Sequence, residues 1–223
     1  MAKDGNYDSP LKATLKGITD LYSKKSNSLK LPDQIDLKNK TVLITGSSSG
    51  LGLATAKRIS KAGARVIMAV RSGIPAKGEE VKKFSENSNV LMYPIDLSDF
   101  ESINQFINNL VNDGLTIDIL ISNAAMVPLK SRKTPQGLEE MFMVNYLAPF
   151  YLINKFLDCN ILKKEKSSII IVSSESHRNP KEFEWNKFGI YQDYGIKETV
   201  SRYGYYKLFL STFAADLSRR LAL

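Results

Sequence analysis

From Ile35 onward, short apolar runs rich in β-branched residues alternate with segments of helical spacing. The runs predict five strands: Thr41 to Thr45, Arg65 to Val70, Val90 to Ile95, Ile117 to Ser122 and Ile169 to Ser173. Between them, helices are predicted from about Leu51 to Ala62, Ala76 to Glu86, Phe100 onward and Gly137 to Asp158. A last helix is predicted from about Val200 to Leu221. Gly63 ends the first helix as a C-terminal cap. Ser98 and Glu101 have capping-box spacing at the start of the third. The predicted buried face of that helix is Phe100, Ile103, Phe106, Ile107, Leu110 and Val111. Short apolar strands suit a parallel sheet covered on both faces. Five βα units joined by right-handed crossovers predict an α/β fold, a Rossmann-like doubly wound sheet in the order 3-2-1-4-5. It would form the middle of a three-layer α/β/α sandwich.

Residues 1–38 read as an N-terminal extension and residues 39–223 as one dinucleotide-binding catalytic domain. Within the extension, Leu11, Leu15, Ile18 and Tyr22 have helical spacing, and Ser23 to Ser28 reads as a flexible connector. The 223 residues carry 31 basic and 23 acidic groups, a formal charge of +8, without a dense Lys/Arg block. The surplus favours an anionic small molecule and argues against a nucleic-acid surface. Cys159 is the only cysteine and His177 the only histidine, which excludes an intrachain disulfide and a His-rich metal cluster. No apolar run approaches the roughly 20 residues of a membrane helix. The expectation is a cytoplasmic chain, with a homo-oligomer left open.

Candidate chemistry gathers at the carboxyl ends of the predicted strands, where doubly wound sheets bind ligands. In TVLITGSSSGLG, the strand stops at Gly46, and Gly50 and Gly52 open the next helix. Outward N–H groups and the helix dipole make such a turn an anion site. Glycine permits both the turn and close approach of a pyrophosphate. The spacing G-x-x-x-G-x-G differs from the common G-x-G-x-x-G, so a ligand-free turn is the bland alternative. Arg71 stands where an acidic ribose-binding residue is usual, and its planar fork suits a 2′-phosphate. The alternative is a solvated arginine closing a strand. Asp96, Asn123 and Ser174 end the third, fourth and fifth strands. On the last helix, Tyr203 and Lys207 are four apart and share a face. An ammonium beside a phenol favours the phenolate, so the pair suits proton transfer at a carbonyl or alcohol oxygen.

Taken jointly and in order, TGSSSGLG, AVRSG, PIDLS, SNAA, MVNYLAPF, IVSSESHR and YGYYK resemble the successive motifs of the short-chain dehydrogenase/reductase family. VSSESHR and the helix ending LSRRL resemble its retinol-dehydrogenase-like branch. The resemblance covers roughly Ile35 to Leu221. It implies that Tyr203 is the catalytic acid/base, and that Lys207 lowers its pKa and binds the nicotinamide ribose. Ser174 would hydrogen-bond the reacting oxygen, and Asn145 would hold a water in the proton relay. Gly46, Ser48, Gly50, Leu51 and Gly52 would line the cofactor phosphates. Asp96, with Leu97, would meet the adenine, and Asn123, with Ala124, the adenosine ribose. With Arg71 the implied cofactor is NADP(H), and the implied substrate a lipophilic alcohol or carbonyl compound. A cofactor-binding module without turnover is the alternative.

Departures from the family pattern bear on this reading. Ala125 stands where the family has glycine, and Tyr206 replaces the serine usual before the lysine. Ser174 and Tyr203 are separated by a long, aromatic-rich stretch, either a wall for an apolar substrate or a surface loop. The family continues beyond the helix bearing Lys207 with a further strand, a segment against the nicotinamide and a substrate lid. None is recognisable here, and the expectation is a C-terminally incomplete catalytic domain.

Overall fold

The computed structural model describes residues 35–178 and 182–221. Strand β1 (Thr41–Thr45) is central, pairing in parallel with β2 (Arg65–Val70) on one side. β3 (Val90–Pro94) extends the sheet beyond β2. On its other side β1 pairs with β4 (Ile119–Ser122), and β4 with β5 (Ser168–Ile171). The order is β3-β2-β1-β4-β5, all parallel, the doubly wound order that the apolar runs predict. The predicted N-terminal helix through Leu11, Leu15, Ile18 and Tyr22 lies outside the described residues.

Helices α1 (Gly50–Lys61) and α2 (Ala76–Ser85) cover one face of the sheet. The other carries α3 (Phe100–Asn112), the single turn α4 (Glu140–Phe142), α5 (Ala148–Asp158) and α6 (Ile196–Leu221). Strand alternation divides the core. Val42, Ile44, Val66 and Met68 meet Ala56 and Val81 on the first face. Leu43, Ile67, Ala69 and Leu120 meet Phe106, Phe156 and Leu210 on the second. These side chains are buried, each large one stabilising the fold by roughly 1.5–3 kcal/mol relative to exposure.

Several boundaries differ from expectation for local reasons. Asp99, not Ser98, caps α3, accepting from the Glu101 N–H at 3.1 Å. Ser98 instead donates its N–H and hydroxyl to Asp96 Oδ1 at 2.8 and 2.6 Å. Val111 is 47% exposed and leaves the buried face of α3. Ile117 forms an isolated bridge to Leu162 ahead of a shorter β4. The long helix expected from Gly137 begins at Glu140, capped by the Glu139 side chain, and contains a π-helical turn, Met143–Leu147. The last helix starts at Ile196, a turn earlier than expected.

Candidate active site

The glycine turn after β1 is built by backbone contact. Gly46 has φ +67, and a Cβ there would stand 2.9 Å from the Ala124 Cα. A Cβ on Gly52 would lie 2.4 Å from the Gly46 carbonyl oxygen and 2.7 Å from Asn123 Nδ2. Gly50 is different: its surroundings are open, and φ +51 is what favours glycine. Asn123 fixes the turn from the end of β4, donating from Nδ2 to the Thr45 carbonyl at 2.9 Å. In return, Thr45 Oγ1 accepts from the N–H groups of Asn123 and Ala124. Ser49 gives α1 no side-chain cap, and its first turn holds no acidic residue. The N–H groups of Gly50, Leu51 and Gly52 are therefore free to meet an anion, while that of Leu53 donates to the Ser49 carbonyl.

From this turn an open cleft of about 570 Å³ runs across the carboxyl ends of the strands. Every candidate cofactor residue lines it: Gly46, Ser48, Gly50, Leu51, Gly52, Arg71, Asp96, Leu97, Asn123, Ala124, Tyr203 and Lys207. Arg71 is exposed and has no hydrogen bond or ion pair to any described residue, which leaves its guanidinium available. Asp96 is held by Ser98 on Oδ1, and its N–H donates to Ser102 Oγ at 2.8 Å. Uncapped N–H groups and backbone packed too tightly for a Cβ together fit a dinucleotide.

At the far end of the cleft, Lys207 is 1% exposed, and Nζ donates to the Val172 carbonyl at 2.9 Å. Burial pushes its pKa down to about 8, because desolvation disfavours the ammonium. Nζ also lies 5.8 Å from the centre of the Tyr203 ring. Asn145 and Ser174 do not line the cleft. Asn145 is fully buried in the π turn, where Oδ1 accepts from the Met126 N–H at 2.9 Å and Nδ2 donates to its carbonyl at 2.7 Å. It thereby anchors the segment that leaves β4. Ser174 Oγ accepts from the Ser176 N–H at 3.3 Å, a local turn after β5.

The residues that sequence reasoning missed are mostly braces. Ser173 lines the cleft in place of Ser174 and is paired through its hydroxyl with Ser211 at 2.7 Å. Thr45 ties β1 to β4, and the signal for it was a hydroxyl at the carboxyl end of the strand, after three aliphatic residues. Glu139, 2% exposed, sits three residues before Phe142, a capping spacing visible in the sequence. The aromatic stretch before α6 leaves the cleft untouched. Phe183 and Phe188 pack instead on Phe142, Tyr205 and Phe209, beside a separate cavity of about 200 Å³.

A family model described as short chain dehydrogenase matches residues 40–185. The chain belongs to that family. WW domain-containing oxidoreductase of Gallus gallus is 32% identical to this short-chain dehydrogenase over 160 residues, 70% of the chain and 38% of the relative. Retinol dehydrogenase 12 of Mus musculus is 32% identical over 193 residues, 84% of the chain and 58% of the relative. The chain thus spans about half the length of the curated relatives it matches. Among solved structures, an uncharacterized protein from Mycobacterium paratuberculosis superposes with a TM-score of 0.70 at 31% identity. That match covers 85% of this chain and 65% of the other.

Proposed function

We propose that this short-chain dehydrogenase is an NADP(H)-dependent oxidoreductase that interconverts an alcohol and a carbonyl group on a lipophilic small molecule. The observation that carries the reading is one cleft bounded by a glycine turn and unpaired Arg71 at one end and by Tyr203 and buried Lys207 at the other. When bound, the nicotinamide cofactor supplies or accepts the hydride. The chain supplies binding, orientation and the proton. Gly46 to Gly52 hold the phosphates against free N–H groups, and Arg71 pairs with a 2′-phosphate. The Tyr203 hydroxyl gives its proton to the substrate oxygen in reduction and takes it back in oxidation. Lys207, fixed on Val172, favours the phenolate and meets the nicotinamide ribose. Asn145 holds a relay water, and Ser174 turns from Ser176 to donate to the reacting oxygen. Lipophilic substrates are favoured by the retinol dehydrogenase relative and by Met126, Val144 and Val172 along the cleft. A lone cysteine suits a reducing compartment, and we include a cytoplasmic location in the proposal. No described helix is long and apolar enough to cross a membrane.

The test is NADPH-dependent reduction of retinal-like aldehydes and bulky ketones by the parent chain and by Tyr203→Phe. The variant keeps the volume and loses the proton, so turnover should fall about 10²–10⁴-fold while NADPH still binds. Turnover above a tenth of the parent rate in the variant contradicts the role of Tyr203. A second reading, cofactor binding without turnover, draws on the position of Ser174 outside the cleft. NADPH binding with no reduction across the panel would favour it.

A further inference from the structure

One carboxylate joins the two helices that carry three of the proposed catalytic residues. Glu139 is 2% exposed, and both of its oxygens are engaged. Oε1 accepts from the Met141 N–H at 2.9 Å and from the Tyr194 hydroxyl at 2.8 Å; Oε2 accepts from the Phe142 N–H at 2.7 Å. On α6, Tyr206 is 6% exposed, and Arg202 reaches back to the tyrosine that Glu139 holds. Arg202 donates to Gln192 Oε1 at 2.7 Å, and its guanidinium lies 4.7 Å from the centre of the Tyr194 ring. Tyr194 is tied by its backbone to Ser131, on the segment that leaves β4. Burial and the neighbouring carboxylate push the phenols of Tyr194 and Tyr206 upward, so both remain protonated donors.

The consequences run along both helices. In one direction Glu139 caps α4, which continues through the π turn containing Asn145. In the other, Tyr206 adjoins Lys207 and lies one turn from Tyr203. The Tyr206 ring also meets Phe142 at 5.6 Å between centres. A serine at position 206 would have no ring to pack on Phe142, which gives a structural reason for the departure noted in the sequence.

We propose that Glu139 is a positioning residue, clamping the helix of Asn145 to the helix of Tyr203 and Lys207. The inference rests on the roles proposed above for those three residues. Two measurements on the full chain test it: amide hydrogen exchange, and steady-state kinetics with NADPH. Glu139→Gln keeps the shape and removes the charge. Exchange over 140–147 and 196–207 should quicken at least tenfold, while amides of β1 and β2 stay unchanged. Normalised to the folded fraction that the exchange itself measures, the kcat should fall at least tenfold, a loss that unfolded protein does not account for. Tyr194→Phe, which removes the hydroxyl that donates to Glu139, should give the same signature more weakly, and the double variant should be no worse than Glu139→Gln, as expected of coupled partners. Unchanged exchange in both single variants, additive effects in the double variant, or a global loss of protection in Tyr194→Phe would overturn the clamp. If Glu139→Gln loses protection throughout, Tyr194→Phe decides. If the parent chain turns over no substrate, the proposed activity fails, whereas exchange and additivity still decide the clamp.

Discussion

The α-carbon of Gly52 faces the carbonyl oxygen of Gly46 so closely that an added methyl group would stand 2.4 Å from it. This contact sets the opening of α1 against the end of β1. Gly52→Ala therefore has to push backbone aside, a form of overpacking that costs about 1–3 kcal/mol. Gly50→Ala meets open space and carries only the left-handed backbone penalty of about 1–2 kcal/mol. Urea midpoints should fall in both variants, and NADPH affinity should fall further in Gly52→Ala. Equal loss of affinity in the two would mean that the close approach does not shape the site.

Arg71 is exposed, unpaired and placed at the end of β2 beside the glycine turn. A charge-assisted bond to a 2′-phosphate contributes roughly 1.5–3 kcal/mol, so NADPH should bind at least tenfold more tightly than NADH. Arg71→Asp should invert the order, since a carboxylate repels the phosphate and accepts from a free ribose hydroxyl. Calorimetric titration is the suitable measurement, because Trp185 packs on Phe183 away from the cleft. Equal affinities in the parent chain would dismiss Arg71 as the discriminating residue.

Lys207 makes stability depend on pH in a defined direction. Its pKa is lowered from 10.5 in the unfolded chain to about 8 by burial. Between those values the unfolded state binds the proton and the folded state does not, so stability rises as pH climbs through the window. The slope is at most about 1.4 kcal/mol per pH unit. Urea midpoints at pH 7, 8, 9 and 10 should rise for the parent chain relative to Lys207→Met. A flat difference would mean that the ammonium is not desolvated.

The sheet order was legible because β-branched runs of four to six residues can be buried on both faces only in a parallel, covered sheet. The ligand-side residues followed from their places at strand ends, which depend on chain order alone. What escaped the sequence was local competition between caps. Ser98 and Asp99 both offer oxygens to the start of α3, and only geometry shows Ser98 engaged by Asp96. The π turn at Asn145 was hidden for a similar reason: it changes the helical repeat by one residue without changing the apolar spacing enough to be noticed. The destination of the aromatic stretch was equally opaque. Phe183 and Phe188 suit a substrate wall or a helix surface by composition, and the observed packing on Phe209 settles their contacts.

The central place of β1 also orders events in time. Val42 pairs with Val66 across a short helical connection and with Ile119 from much farther along the chain. Closing the first loop costs less entropy than closing the second. During synthesis β1, β2 and β3 can assemble with α1 and α2 before β4 exists, while the opposite flank of β1 waits unpaired. Pulse-labelling during refolding should accordingly protect amides of β1 and β2 before those of β5. The glycine turn would be fixed only once β4 brings Asn123 to Thr45, and the Tyr203 and Lys207 end of the cleft would be the last to close.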